Sequence, residues 1–171
     1  NLLFMLKPED KVIMITSSQP SDGKSFVAGN LAVSMAYLGK RVIIIGLDIR
    51  KAGLDKVFGL DSHTPGITNY LTQPDDSDWK EWILPSEISP NLDIFPRGNI
   101  PPNPTELVSR PKLDELIRQL KEEYDYVILD TAPIAMVTDT SIISRVADLC
   151  VYVCRADHTP KAAFQFIHTL K

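Results

Sequence analysis

Residues Thr16-Ser17-Ser18-Gln19-Pro20-Ser21-Asp22-Gly23-Lys24-Ser25 lead from an apolar run into a helical pattern. A loop ending in Gly-Lys-Ser at such a junction can hold phosphate, because its amides and the helix N-terminus point at one spot and the helix dipole adds positive potential there. The expected nucleotide contacts are Ser18, Gln19, Pro20, Ser21, Asp22, Gly23, Lys24, Ser25 and Phe26. Lys24 would reach the β- and γ-phosphates, Ser25 would offer its hydroxyl to Mg²⁺, and Gly23 would let the backbone approach closely. Ser18 stands where the pattern G-x-x-x-x-G-K-[ST] has its first glycine. A bare Gly-Lys-Ser also fits an ordinary helix cap beside a lysine. Its place between a buried strand and an amphipathic helix favours phosphate.

Two carboxylates follow apolar runs in the same way. Asp48 closes Val42-Ile43-Ile44-Ile45-Gly46-Leu47, and Asp130 closes Tyr126-Val127-Ile128-Leu129. Either acid alone would suit a turn or a cap. Beside a phosphate loop they suit Mg²⁺, which keeps several waters and takes one or two protein oxygens. The expected metal set is Ser25, Asp48 and Asp130, and the expected catalytic set is Lys24, Asp48 and Asp130.

Short β-rich runs alternate with helical patterns along the chain. Val12–Ile15, Val42–Ile45, Tyr126–Leu129 and Leu149–Val153 read as strands, the second as one covered on both faces. A helix is expected from about Gly23 to Leu38, with Val27, Leu31, Met35 and Leu38 on its inner face and Gly39 as its stop. Another is expected from about Lys112 to Glu123, where Leu113, Leu116, Ile117 and Leu120 repeat at helical spacing after Ser109 and Pro111. A short helix should follow Asp139, and a last one should begin near Pro160. Residues 72–105, rich in proline with a weak strand at Leu92–Phe95, read as a surface excursion. Trp79, Trp82 and Ile83 form an apolar helical patch within it. The pattern predicts an α/β fold, a mostly parallel sheet flanked by helices on both faces, forming one domain over residues 1–171. Its ligand belongs at the carboxyl ends of the strands.

Composition excludes several classes. The 171 residues carry 18 Lys plus Arg against 22 Asp plus Glu, a net charge of −4, and 44% apolar residues. That balance suits a globular core and offers no electrostatic footprint for nucleic acid. No run of about 18 apolar residues would span a membrane. Cys150 and Cys154 read as buried, reduced thiols about 13 Å apart on one strand face, which suits a cytosolic setting. The chain starts at Asn1 without Met, and reads as a piece of something longer.

Taken together, Ser17–Ser25, Arg41–Lys51 and Asp130-Thr131-Ala132-Pro133 resemble the Walker A, A′ and B motifs of the bacterial tyrosine kinases. These are the autokinases of capsular and exopolysaccharide synthesis and export. Pro96–Leu107 and Val137-Thr138-Asp139 are similar to further blocks of that family, and Asn1–Phe4 to the end of the helix before its first strand. The resemblance implies a P-loop fold of the deviant-Walker class, shared with septum- and chromosome-positioning ATPases. It implies transfer of the γ-phosphate of ATP, with Mg²⁺, to tyrosines in a C-terminal cluster, in trans within a ring of identical subunits. It further implies a catalytic domain on the cytoplasmic face of the bacterial inner membrane. Its partners would be a membrane polysaccharide chain-length regulator, on the same chain or another, and a tyrosine phosphatase.

Some residues depart from the family pattern. Many members have two A′ acids two positions apart, and here the first position is Gly46. A tyrosine hydroxyl has a pKa near 10 and needs a base or charge stabilisation, worth roughly 10²–10⁴ in rate. Either Asp48 covers both roles or the kinase is slow. The family's final strand and tyrosine-rich tail are not part of this chain, and Tyr37, Tyr70, Tyr124, Tyr126 and Tyr152 read mostly as structural. Arg50 suits phosphate, a neighbouring subunit, or a carboxylate such as Asp55. Asp139 reads as a helix cap, and so does Thr105, with Glu106 in the first turn. His63, His158 and His168 receive no catalytic or metal role. Two rival functions remain at this level. One is a positioning-type ATPase, whose signature lysine is replaced here by Gln19. The other is a nucleotide-operated assembly module with little kinase activity, which Gly46 motivates.

Overall fold

In the computed structural model, which describes residues 7–61, 63–134 and 138–163, the apolar runs pair into one six-stranded sheet. The strands are β1 (Val12–Ser17), β2 (Val42–Leu47), β3 (Leu84–Pro85), β4 (Leu92–Phe95), β5 (Tyr126–Thr131) and β6 (Leu149–Val153). Their spatial order is β3-β4-β2-β5-β1-β6, with β3 antiparallel to β4 and every other pair parallel. Every residue of β1 and β2 is buried, because helices cover both faces. Alternation sorts their side chains. Val12, Met14, Ile43, Ile45, Val127 and Leu129 enter one core, whereas Ile13, Ile15, Val42, Ile44 and Ile128 enter the other.

The first core is closed by α3 (Ile67–Thr72), α4 (Pro104–Ser109) and α5 (Pro111–Glu123), and α6 (Asp139–Ile143) adds Ile143. Helix α5 buries Leu113, Leu116, Ile117 and Leu120, the stripe its spacing predicts. The second core is closed by α1 (Lys24–Tyr37) and α2 (Gly53–Val57). Here the expected inner face needs correction. The fully buried stripe of α1 is Ala28, Ala32, Met35 and Ala36; Val27 and Leu31 lie at its margin, and Leu38 is 64% exposed. Small side chains let α1 lie close to its neighbours, and a Cβ added at Gly29 would stand 2.8 Å from Val57 Cγ1.

The proline-rich segment also differs from expectation. Leu92, Ile94 and Phe95 are buried and β4 pairs with β2 along its length, so this stretch supplies an inner strand of the sheet. The strand expected at Leu92–Phe95 is present, but its place inside the sheet is not what a proline-rich surface excursion implies. The preceding residues pack on α5. The buried Trp79, in a 3₁₀ turn over Trp79–Trp82, donates its indole N–H to Gln119 Oε1 at 2.8 Å. The Lys112 ammonium donates to the carbonyls of Gln73 and Pro74 and lies 4.3 Å from the centre of the Tyr70 ring. Burial pushes the Lys112 pKa down.

Other expectations are settled locally. Cys150 is half-buried, but Cys154 lies just past β6 and is exposed. Tyr70 and Tyr124 are buried, while Tyr37 ends α1 at 69% exposure. Among the described residues no helix is long and apolar enough to cross a membrane. Asn1–Phe4, Val137 and most of the helix expected after Pro160 lie outside the described residues.

Candidate active site

Because β5 lies between β1 and β2, the loop after β1, the turn after β2 and the acid in β5 converge at one sheet edge. Asp130 pairs in register with Ile15 on one side and Gly46 on the other. The phosphate loop turns through Ser21 at φ 70° and Gly23 at φ 94° before α1 begins at Lys24. Positive φ costs glycine little, whereas Ser21 must be held there by its surroundings.

Those surroundings are supplied by side chains of the loop itself. The buried Asp22 carboxylate turns into the loop, where it accepts hydrogen bonds from Ser18 Oγ at 3.1 Å and the Gln19 amide at 3.2 Å. It also accepts one from Thr159 Oγ1 at 2.7 Å. Gln19 Nε2 donates to the His158 carbonyl, and Arg155 donates to the Ser21 carbonyl. The side chains of Ser18, Gln19 and Asp22 therefore brace the loop. The segment after β6, in which no functional residue was expected, clasps it. Only contact across 134 to 139 residues reveals that clasp.

Pro20, Ser21, Gly23, Lys24, Ser25 and Phe26 line a cavity of about 210 Å³, together with Asp48, Lys51, Gly53 and Pro133. Lys24 Nζ lies 2.7 Å from Asp48 Oδ2, 3.5 Å from Asp130 Oδ1 and 3.2 Å from Ser25 Oγ. The expected catalytic and metal residues are thus brought together. Asp130 is fully buried, and among the described residues its carboxylate oxygens gain no close hydrogen bond beyond the 3.5 Å approach of Lys24. Burial pushes its pKa up to about 6, with Asp48 adding repulsion, while Lys24 and the neighbouring Ser25 hydroxyl pull it down. A buried carboxylate not saturated by donors, beside a hydroxyl and a second carboxylate, is a hard-oxygen set suited to Mg²⁺.

Gly53, the first residue of α2, packs against this set. A Cβ there would overlap Ser25 Oγ and stand 3.8 Å from Asp130 Oδ2. Gly53→Ala should rotate the Ser25 hydroxyl out of place and leave the fold intact. Titration calorimetry is expected to show roughly tenfold weaker Mg·ADP binding, about 1.4 kcal/mol, with ADP affinity in EDTA unchanged.

The position of the absent first A′ acid is also defined. A Cβ on Gly46 would stand 3.0 Å from the Arg97 amide nitrogen and 3.3 Å from its Cα, so backbone closes the space a side chain would need. Arg97 Nε lies 3.8 Å from Asp55, which leaves Arg50 to a different carboxylate. That carboxylate is Asp139, at 2.8 Å. Neither expected cap is made. Asp139 is already inside α6, whose cap position is Thr138, and its carboxylate binds Arg50. Thr105 is inside α4 after Asn103, and its hydroxyl donates to Asp139.

Comparison with known proteins places the chain among relatives. An AAA domain family model matches residues 10–171. The tyrosine-protein kinase YwqD of Bacillus subtilis is 40% identical over 88% of this chain, and the tyrosine-protein kinase wzc of Salmonella typhimurium is 36% identical over 88%. The chain spans 62% of the first relative and 20% of the second. The solved kinase domain of VpsO superposes with a TM-score of 0.88 at 31% identity, covering 97% of this chain and 80% of that one. The fold extends to a septum site-determining protein of Pyrococcus horikoshii solved with Mg-ADP, at TM-score 0.68 and 24% identity over 84% of this chain and 57% of that one. The chain belongs to the AAA domain family and, within it, to the bacterial tyrosine kinases.

Proposed function

We propose that this chain is the catalytic P-loop domain of a protein-tyrosine autokinase that regulates capsular or extracellular polysaccharide synthesis and export. The observation that carries the reading is the Lys24 ammonium held between Asp48 and Asp130 beside the Ser25 hydroxyl, at the mouth of a phosphate loop. Bound Mg²⁺ would neutralise charge on the β- and γ-phosphates of ATP. Ser25 Oγ would ligate the ion, and Asp130 and Asp48 would hold its water shell. Lys24 would balance charge on the transferring phosphoryl group, where positioning and electrostatics supply most of the catalysis. With Gly46 carrying no side chain, Asp48 would also accept the proton of the incoming tyrosine hydroxyl.

The finer setting rests on the family resemblance. It comprises a homo-oligomeric ring with tail tyrosines modified in trans, a membrane chain-length regulator, a tyrosine phosphatase, and a place on the cytoplasmic face of the inner membrane. The test is to incubate the whole protein with Mg·ATP and probe for phosphotyrosine. Signal should appear and vanish in Lys24→Met. Tight ATP binding with no phosphotyrosine would overturn the kinase reading in favour of an assembly module.

A further inference from the structure

Three sequence blocks that the phosphate site does not use meet at one point. Arg50 Nε donates to Asp139 Oδ2 at 2.8 Å, and one terminal guanidinium nitrogen donates to Asp139 Oδ1 at 3.3 Å. The same nitrogen lies 3.4 Å from Thr105 Oγ1, and the Thr105 hydroxyl donates to Asp139 Oδ1 at 2.6 Å. Asp139 is 1% exposed, whereas the Arg50 side chain is 43% exposed. A forked guanidinium on a buried carboxylate, closed by a hydroxyl, fixes direction as well as distance.

The knot joins three separate segments: the turn after β2, the first turn of α4 and the first turn of α6. Beyond β2 the turn has left the sheet. Asp48 there is tied locally through the Lys51 amide, which donates to its Oδ1 at 3.2 Å. Two residues after Asp48, Arg50 anchors the same turn to α4 and α6. A connection that served only to join α4 and α6 would need Thr105 and Asp139 but not an arginine from the Asp48 turn.

We propose that Thr105, Asp139 and Arg50 form a positioning knot that fixes the turn carrying Asp48, and so sets where Asp48 stands in the magnesium shell and at the acceptor hydroxyl. Arg50 and Thr105 act through Asp48 and touch neither nucleotide nor metal. This inference rests on the role given to Asp48 above.

The whole protein carrying Thr105→Val, Thr105→Ser or Arg50→Lys tests it. Val keeps the shape of Thr and loses the hydroxyl; Lys keeps the charge of Arg and loses the fork. Three quantities are read: the Mg²⁺ concentration that half-maximally tightens ADP binding, ADP affinity in EDTA, and kcat against KM for phosphotyrosine formation. Thr105→Val and Arg50→Lys should raise the Mg²⁺ half-point about fivefold and lower kcat roughly 10–100-fold, as expected for a misplaced group. ADP affinity in EDTA and KM for ATP should stay within about twofold, and Thr105→Ser should match the wild type.

An unchanged Mg²⁺ half-point in a folded Thr105→Val protein would overturn the proposal. So would losses that follow melting temperature and are not rescued by Ser. If Thr105→Val does not fold, Arg50→Lys decides by the same readings. Should the wild-type protein form no phosphotyrosine, the kinase reading fails by itself, and the Mg²⁺ titration still decides the knot.

Discussion

Asp130→Asn should give a protein that melts higher than the wild type without nucleotide, yet transfers no phosphate. The cause is the cost of keeping Asp130 ionised. Its folded pKa of about 6 lies above its ordinary value of 3.8, so between those values the folded chain holds a proton that the unfolded chain has released. Stability therefore falls as pH rises through that window and is flat above it. The shift of about 2 units corresponds to about 3 kcal/mol at pH 7. Asparagine has the shape of the protonated acid and escapes that cost, and its carbonyl can still face Lys24. A gain of about 1–3 kcal/mol would raise the melting temperature by roughly 3–10 °C. The gain should vanish below about pH 4, where Asp130 is protonated in both folded and unfolded chains. The stabilisation that Mg·ADP gives the wild type should shrink to that of ADP alone, and phosphotyrosine formation should fall more than about 100-fold. Calorimetric melts at pH 4 and pH 7, each with and without Mg·ADP, check all three. A variant that melts lower than the wild type at pH 7 would show that the Asp130 charge supports the empty fold.

The opposite signs of these effects explain which parts of the site were legible in the sequence. Residues that bear a cost for function stand out against their surroundings. Asp48 and Asp130 interrupt apolar runs, and Gly23-Lys24-Ser25 interrupts the passage from strand to helix. The strands were legible for a related reason: burial on both faces demands unbroken apolar runs, as in Val42–Ile45. Strand order was not legible, since nothing in β5 records that it inserts between β1 and β2. Yet that insertion is what brings residues 24, 48 and 130 together. The α1 face was misread because its contact is made by Ala28 and Ala32, whose small size is the packing signal and which hydrophobicity weights lightly. Asp139 looked like a cap because it lies at a helix start, and its partner Arg50 is 89 residues away. The inward turn of the Asp22 carboxylate was not legible either, because it is held by Thr159, 137 residues away. Spacing along the chain carries local geometry; long-range hydrogen bonds leave no trace in it.

Lys24→Met offers a second result of large effect, in which catalysis and stability both change and the stability change depends on pH. Methionine keeps most of the lysine stem and removes the ammonium, leaving Asp48 and Asp130 buried together without their cation. Removing one partner from a buried ion pair costs roughly 3–5 kcal/mol when the remaining charge cannot be relieved. Here it can be relieved, because Asp130 is already pushed up to about 6 and loses the attraction that opposes its burial. In the variant it should hold its proton to higher pH, so the window in which stability falls with pH should extend upward past 6. Each further unit corresponds to about 1.4 kcal/mol. Urea unfolding at pH 5, 7 and 8 should show Lys24→Met weaker than the wild type at pH 5, where Asp48 has lost its 2.7 Å partner, and increasingly weaker still at pH 7 and 8 as Asp130 ionises. Adding Asp130→Asn should remove most of that pH dependence and recover stability, a coupling between neighbours that single substitutions cannot show. Activity should follow a different course. Both the single and the double variant should have lost phosphotransfer by about 10³-fold or more at every pH, since charge neutralisation at the phosphoryl group is gone in each. Stability that returns while activity does not would separate the two tasks of Lys24, holding two buried acids in the fold and balancing phosphate charge in the reaction. Parallel stability curves for wild type and Lys24→Met across this pH range would refute the first of those tasks.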